Sequence, residues 1–393
     1  MLLTTSTTPG ILRLLPRSRL DTTITHLRFS SSTSTSASAS ASEIASSFLT
    51  RFQSLGPQTR TQTLDANQLR LLSLTLNRPS LFPSSSSPSL SSTSSASNTT
   101  PATEIPDGTP LPAGYHLVYF TPAFLENELG ADGTDTSYNP AHPFTRRMWA
   151  GGEVRWPRDG KGRVNPLRVG QVVSETTRVL SAEAKVIRKT GEEMVVVGVE
   201  KSFGNGDGVA VVDRRNWVFR KALPPPSQTQ SQSQTRNLPP PNPPSGTPAT
   251  STTTSSPDGK QHTRTLSQSP VTLFRFSALT FNPHKIHYSL PWARDVEGHR
   301  DIVVHGPLNL INILDLWRDV RGDPQEEGEL DLDKILPERI VYRATNPIYA
   351  GDEYRVVLDE SDGEGAGQDG KKSNVEIILP GGNVGMKAEV FAV

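Results

Sequence analysis

The chain has 393 residues, its 40 Lys and Arg are matched by 40 Asp and Glu, and it contains no cysteine. A formal charge of zero excludes a global field that would draw it to nucleic acid or an anionic membrane, and the missing cysteine excludes disulfides, thiolate nucleophiles, iron–sulfur clusters and cysteine-bound zinc. No apolar run approaches the roughly 20 residues that cross a bilayer, so the sequence reads as soluble with no membrane span.

Three stretches rich in Ser, Thr and Pro, at 1–42, 79–104 and 224–270, are set apart from the rest, and what remains suits two domains. The first thirty residues carry Arg13, Arg17, Arg19 and Arg28 against one acid, Asp21, and residues 30–42 are only Ser, Thr and Ala. This composition is that of a mitochondrial import sequence, with cleavage expected near Phe29 or Ser30, so 1–42 is read as a transit segment and the expected location is mitochondrial.

From Glu43 to Asn77 the spacing is helical, with Ile44, Phe48 and Phe52, then Leu69, Leu72 and Leu76 after an N-cap at Thr63 or Asp65. Residues 79–104 are expected to form a disordered insertion, and ordered sequence resumes at Leu111. Val- and Thr-rich segments Gly152–Trp156, Gln171–Arg188, Glu192–Phe203 and Val209–Arg220, with turns at Lys189–Gly191 and Gly204–Gly208, predict an antiparallel meander that completes a first domain over 43–223. Gly204-Asn205-Gly206-Asp207-Gly208 lacks the Lys-Ser/Thr of a phosphate loop and reads as a hairpin turn. Residues 224–270 hold 11 of the 33 prolines and read as an extended linker.

The second domain, 271–393, is expected to open with a strand, Val271–Leu279, and to continue irregularly to about Asp301. A helix follows over Gly306–Asp319, apolar nearly all round, with Pro307 in its first turn. Strands at Arg339–Thr345, Glu353–Asp359, Asn374–Leu379 and Ala388–Val393 would wrap it. Strand, long helix and antiparallel meander is the hotdog order, and the overall class is α+β.

The densest polar cluster is Thr280–Ala293, TFNPHKIHYSLPWA, in which Asn282, His284 and His287 lie within six residues. This segment resembles the signature of the MaoC-like (R)-specific enoyl-CoA hydratase family, Asp-x-Asn-Pro-aliphatic-His followed six residues later by Ala or Ser. Asn282 stands where that family has its catalytic Asp, His284 where it has Asn, Ile286 at the aliphatic position, His287 at the catalytic His, and Ala293 in register. Ile302-Val303-Val304-His305-Gly306-Pro307-Leu308 resembles the family's aliphatic-His-Gly-x-Leu start of the central hotdog helix. The likeness extends to the two-domain branch of fungal and animal type 2 hydroxyacyl-thioester dehydratases and bacterial mesaconyl-CoA hydratases, through Pro112–Leu129, Arg146–Gly152 and Phe276–Asn282.

The resemblance implies a double hotdog whose second half is catalytic and whose first half helps form the cleft. It implies reversible dehydration of (3R)-hydroxyacyl thioesters to trans-2-enoyl thioesters, in mitochondrial fatty-acid synthesis, on acyl-carrier protein or CoA. His287 would move the protons near neutral pH; Asn282, whose amide cannot act as a base, would orient the hydroxyl or water; and the Gly306 N–H would bind the thioester oxygen. His284, His305, Arg146, Arg147 and Trp149 are the expected substrate-binding residues, the arginines for a pantetheine or nucleotide phosphate. For Arg146 and Arg147 an exposed structural pair is the alternative, and for Trp149 a packed core position.

No cofactor or metal is expected, because the imidazoles have no acidic or sulfur ligand close in sequence. A homodimer is the expected assembly. The alternatives to the leading function are a non-catalytic acyl-thioester-binding or scaffold protein, a hydratase of a short dicarboxylic acyl-CoA, and, third in order, a thioesterase.

Overall fold

The structure is a computed structural model, described over residues 39–82, 105–223, 238–242, 251–322, 330–360 and 371–393. Nearly all of the expected transit segment, residues 83–104 of the expected insertion, and 224–237 and 243–250 of the expected linker lie outside the described residues.

The fold begins two residues before the expected boundary, with α1 over Ala41–Leu55. Ser40 and Glu43 form a capping box: the Ser40 hydroxyl accepts from the Glu43 N–H, and the Glu43 carboxylate accepts from the Ser40 N–H at 2.7 Å. Ile44, Phe48 and Phe52 fall on one face and pack α1 onto the sheet. A short strand, β1 (Gln58–Thr63), intervenes before α2 (Ala66–Thr75), whose N-cap is Asp65. Polar and almost wholly exposed, QTRTQT has no alternation to reveal it as a strand; its order comes from pairing with the strand Val172–Val186.

After an irregular run with two 3₁₀ turns come β2 (Arg146–Arg155), β3 (Val172–Val186), β4 (Glu193–Asn205) and β5 (Gly208–Arg220), close to the expected meander. β2 starts six residues before the expected strand.

The 224–270 stretch is not a linker throughout. Residues Ser251–Ser255 and Gln261–Ser267 form a hairpin, β6 and β7, and β7 pairs with the later strand Glu353–Asp359. In QHTRTLS, Arg264 and Leu266 are buried two residues apart, which is strand periodicity inside a polar sequence.

Nor is Val271–Leu279 a strand. Pro270–Leu279 is α3, started by a Ser269 side chain that accepts from the Thr272 N–H, with Pro270 in the first turn and Leu273, Phe276 and Leu279 buried three apart. β-branched and aromatic content suggested a strand, and the capped three-residue spacing decides for a helix.

Helix α4 (Gly306–Arg321) extends two residues beyond expectation. Leu308, Leu310, Ile311, Ile313, Leu314, Leu316 and Trp317 are all inaccessible, so every face of the helix is clad. Each such side chain contributes about 1.5–3 kcal/mol relative to exposure. A short α5 (Leu332–Ile335) leads into β8 (Arg339–Ala344), β9 (Glu353–Asp359), β10 (Lys372–Ile378) and β11 (Val384–Phe391).

All strand pairs are antiparallel, in one eleven-stranded sheet of order β1-β3-β4-β5-β2-β8-β11-β10-β9-β7-β6. The first-half and second-half strands occupy separate ends and join at β2 and β8, where Gly152 faces Tyr342. This is a double hotdog, with α4 as the long central helix of the second half. Among the described residues no helix is long and apolar enough to cross a membrane.

Candidate active site

The polar segment after α3 folds as a tight, locally strained loop. Phe281 adopts φ 47°, a left-handed conformation that a bulky residue rarely takes, and the Asn282 N–H returns to the Ser277 carbonyl at 2.9 Å. Asn282 Oδ1 accepts from the His284 N–H at 3.2 Å, closing an Asx turn. Its Nδ2 therefore keeps both donors for another group. A 3₁₀ turn over Lys285–His287 then points His287 inward, where it is 7 % exposed.

His287 Nδ1 lies 2.7 Å from the Val303 carbonyl. A carbonyl can only accept, so Nδ1 carries the proton and Nε2 keeps its lone pair. His305 is the N-cap of α4 and is 1 % exposed. Its ring stacks on that of His287 with centroids 3.6 Å apart and planes 18° apart, and its Nε2 is 2.9 Å from Ser277 Oγ. His284 meets His287 edge-on at 5.4 Å.

The three rings share one electrostatic state. Burial pushes His287 down to about 3, with His284 adding to the effect, and burial with Arg147, His299 and Arg146 pushes His284 down to about 3. Burial and the two neighbouring imidazoles hold His305 well below the ordinary histidine range. Burial and the facing imidazoles favour the neutral form of His287, because a desolvated imidazolium would meet other imidazoles and no carboxylate at hydrogen-bonding distance.

The start of α4 completes the arrangement. Its first-turn amides, including that of Gly306, have no acceptor within the helix. Trp149 of β2 lies directly over Gly306, where a Cβ would stand inside the indole ring, so only glycine admits this contact. The Trp149 ring in turn stacks on Tyr342 at 4.6 Å. A bulge in β2 between Trp149 and Gly151 re-aims the strand at this point.

Arg146 and Arg147 also reach the site from the first half, but each is already paired, Arg146 with Glu297 and Arg147 with Asp135. Arg147 additionally sits over the Trp217 ring at 5.0 Å. The structure thus brings together His284, His287, His305, Gly306 and Trp149, with Asn282 in the same loop and both arginines at its edge.

Sequence reasoning missed the first-half loop that supports the Asn282–His287 segment. The Asp132 carbonyl accepts from the Lys285 N–H at 2.8 Å, and its carboxylate lies 3.9 Å from His284 Nε2. Gly133, at φ 84°, lets this loop pass against the Pro283 carbonyl, where a Cβ would collide. The run GADGTD signals a turn in sequence but not which surface it meets. Ser277 and Tyr342 were missed as well, one within a helix misread as a strand and the other within an ordinary β-strand.

Comparison with known proteins sets this geometry in a family. The family model for hydroxyacyl-thioester dehydratase type 2 matches residues 114–350. The chain is 31 % identical over 213 residues to a mesaconyl-C(4)-CoA hydratase of Chloroflexus aurantiacus, covering 53 % of this chain and 65 % of that protein. It is 27 % identical over 264 residues to a mitochondrial hydroxyacyl-thioester dehydratase type 2 of Schizosaccharomyces pombe, covering 64 % of this chain and 79 % of that protein. Among solved structures, a MaoC-like dehydratase from Phytophthora capsici aligns with a TM-score of 0.47 at 12 % identity, over 86 % of this chain and 95 % of that one. Since the family match spans more than half of the residues, the chain belongs to the hydroxyacyl-thioester dehydratase type 2 family.

Proposed function

We propose that the protein catalyses the reversible dehydration of (3R)-hydroxyacyl thioesters to trans-2-enoyl thioesters. The observation that carries this reading is the fixed tautomer of His287: its Nδ1–H is spent on Val303, leaving an unprotonated Nε2 in a buried site beside the free amides of the α4 N-terminus. Nε2 removes a proton from the carbon next to the thioester. The Gly306 N–H and the helix dipole stabilise the charge that collects on the thioester oxygen. The imidazolium then returns its proton to the departing β-hydroxyl, which leaves as water while the carbon–carbon double bond forms. The developing enolate offsets the burial that otherwise disfavours a charged His287.

The Asn282 amide donates to the β-oxygen. His305 and Ser277 hold the His287 ring in plane from behind, and His284 lines the approach. Trp149 covers the reacting end of the thioester. Because Arg146 and Arg147 are already neutralised by carboxylates, they act more through shape than as a bare phosphate clamp.

The Arg-rich first thirty residues and the mitochondrial relative in Schizosaccharomyces pombe support a mitochondrial location, which suits a role in fatty-acid synthesis. A fluorescent reporter carrying residues 1–45 should enter mitochondria. The activity is tested by following hydration of crotonyl-CoA, longer enoyl-CoAs and the matching carrier-protein thioesters by purified protein. Turnover that disappears in His287→Ala supports the reading, whereas binding without turnover of any of them replaces it with that of an acyl-thioester-binding protein.

A further inference from the structure

The described stretch Leu238–Asn242, between β5 and β6, has the sequence Leu-Pro-Pro-Pro-Asn. Proline fixes φ and has no N–H, so this stretch is stiff before it docks, and Leu238 and Asn242 alone carry backbone donors. The Pro239 carbonyl accepts from Arg294 at 2.9 Å, and four further contacts converge on Asn242. The Asn242 N–H donates to Asp301 Oδ2 at 2.9 Å. Its Nδ2 donates to the Ala350 carbonyl at 2.6 Å and to Asp352 Oδ1 at 3.0 Å, and its Oδ1 accepts from Arg300 at 3.2 Å. Gly351 follows at φ 77°, where a Cβ would stand 3.1 Å from that of Asn242, so the 349–352 turn closes directly against the asparagine.

These contacts reach His287 by two routes that meet at Ile302. Along the first, Asp301 Oδ1 accepts from the Ile302 N–H at 2.7 Å while its other oxygen holds Asn242. Along the second, the Ala350 N–H donates to the Ile302 carbonyl at 3.0 Å while the Ala350 carbonyl holds the Asn242 amide. Ile302 is thus fixed through both its N–H and its carbonyl by residues that Asn242 joins. The next residue is Val303, whose N–H donates to the Ile286 carbonyl at 2.8 Å and whose own carbonyl lies 2.7 Å from His287 Nδ1. Asp301, Ile302, Val303, Ala350 and Asp352 are each less than 9 % exposed, so these bonds are made in a low-dielectric setting where they are strong.

The Val303 carbonyl selects the tautomer of His287 only while it keeps its distance and angle to Nδ1. Stacking on His305 restricts the plane of the ring but does not decide which nitrogen carries the proton. The tautomer therefore depends on what holds the 301–303 backbone.

We propose that Asn242 is a positioning residue for His287: by joining Asp301 to the Ala350–Asp352 turn, it sets the Val303 carbonyl that keeps the proton on Nδ1 and leaves Nε2 free. The proposal rests on the dehydratase reading for its effect on turnover but not for its effect on the tautomer.

The test uses the full chain with nitrogen-15 in its histidines, whose nitrogen shifts report which atom of a neutral ring is protonated; the His287 signals are those lost in His287→Gln. Wild-type protein should show His287 with Nδ1 protonated and Nε2 bare. Asn242→Ala removes the amide and should show both His287 tautomers, with folding retained in circular dichroism. Against crotonyl-CoA and longer enoyl-CoAs its kcat should fall roughly tenfold while KM changes less than about twofold, because Gly306 and Trp149 are untouched. Asn242→Asp keeps the shape and the Arg300 contact but turns a carboxylate toward the Ala350 carbonyl and Asp352, so it should behave like Asn242→Ala, and it supplies the same readout if the alanine variant does not fold. An Asn242 variant that has a lower urea midpoint yet keeps the wild-type tautomer overturns the positioning role, whatever its activity. If wild-type protein turns over no enoyl thioester while the tautomer still shifts in Asn242→Ala, the dehydratase reading fails and the positioning of His287 by Asn242 stands.

Discussion

The neutral state of the three neighbouring histidines, His284, His287 and His305, has a consequence for stability that can be measured without knowing the substrate. In the unfolded chain each imidazole has a pKa of about 6.5, whereas His284 and His287 in the fold are pushed down to about 3 and His305 well below its ordinary value. Between these limits the unfolded state binds more protons than the folded one, so stability falls as the pH drops from about 6.5 toward 3. At pH 5 the loss depends only on the unfolded value, because the folded rings are still neutral there. From pH 7.5 to 5 His284 and His287 then cost about 2 kcal/mol each, a large part of the stability of a typical domain, and His305 acts in the same direction. The paired carboxylates do not blur this window: Asp213, whose fold environment with Arg215 and His116 holds it far down, loses its contribution only as the pH falls below the ordinary aspartate range of about 4. Urea melts at half-unit intervals from pH 5 to 7.5 should show the decline. The slope should fall by about one proton in His287→Gln, a neutral replacement of similar shape. A flat profile, or a slope unchanged by removing His287, would refute the claim that this ring is buried and neutral, and with it the assignment of Nε2 as a resting base.

Four further outcomes are expected. His287→Ala should lower kcat by roughly 100-fold or more with folding retained in circular dichroism, and a larger loss in His284→Ala would show that the wrong ring had been chosen. Asn282→Asp places an anion beside the histidines, raising the pKa of His287, so a falling acid limb should appear in the kcat/KM profile above pH 5 where the parent protein has none; Asn282→Ala should be the less active of the two. Gly306→Ala drives a methyl group into the Trp149 ring, an overpacking that should cost about 1–3 kcal/mol in urea melts and lower kcat as the indole moves. Arg318 is wholly buried and pairs with Asp315 at 2.7 Å, so Arg318→Met should cost about 3–5 kcal/mol, read as a lower urea midpoint.

Where side-chain periodicity is set by one dominant contact, the elements were legible in sequence. The apolar surface of α4 and the alternation in β3, β4 and β5 follow from burial against a single large partner, so their positions come out within a few residues. The reading went astray where order comes from outside the segment. β6 and β7 look like linker because their stability lies in backbone pairing with β9 rather than in apolar content. α3 looks like a strand because residue type was weighed above its Ser269 and Pro270 start. At the site, the spacing of Asn282, His284, His287, His305 and Gly306 was visible, since all five lie in two short runs. The Asp132 loop was not, because it is about 150 residues away and meets the catalytic turn only through the fold.

The asymmetry between the halves explains why the site needs both. The second half wraps its sheet round α4, and that helix supplies the free amides. Among the described residues the first half has no helix of that kind: α1 covers one end of its sheet, and the irregular run before β2 covers the rest. A sheet face not filled by a helix can hold side chains that a close-packed core would exclude, and Glu175, Lys201, Asp213 and Arg215 lie there. The same irregular run and the start of β2 send Asp132, Asp135, Arg146, Arg147 and Trp149 across to the catalytic turn and the α4 N-terminus. Without them His284 and His287 would be open to water, their pKa values would return toward the ordinary histidine range, and Gly306 would lose its cover. The first half thus supplies the low-dielectric surroundings and the second half the groups proposed to react, so the chemistry proposed for His287 belongs to neither half alone.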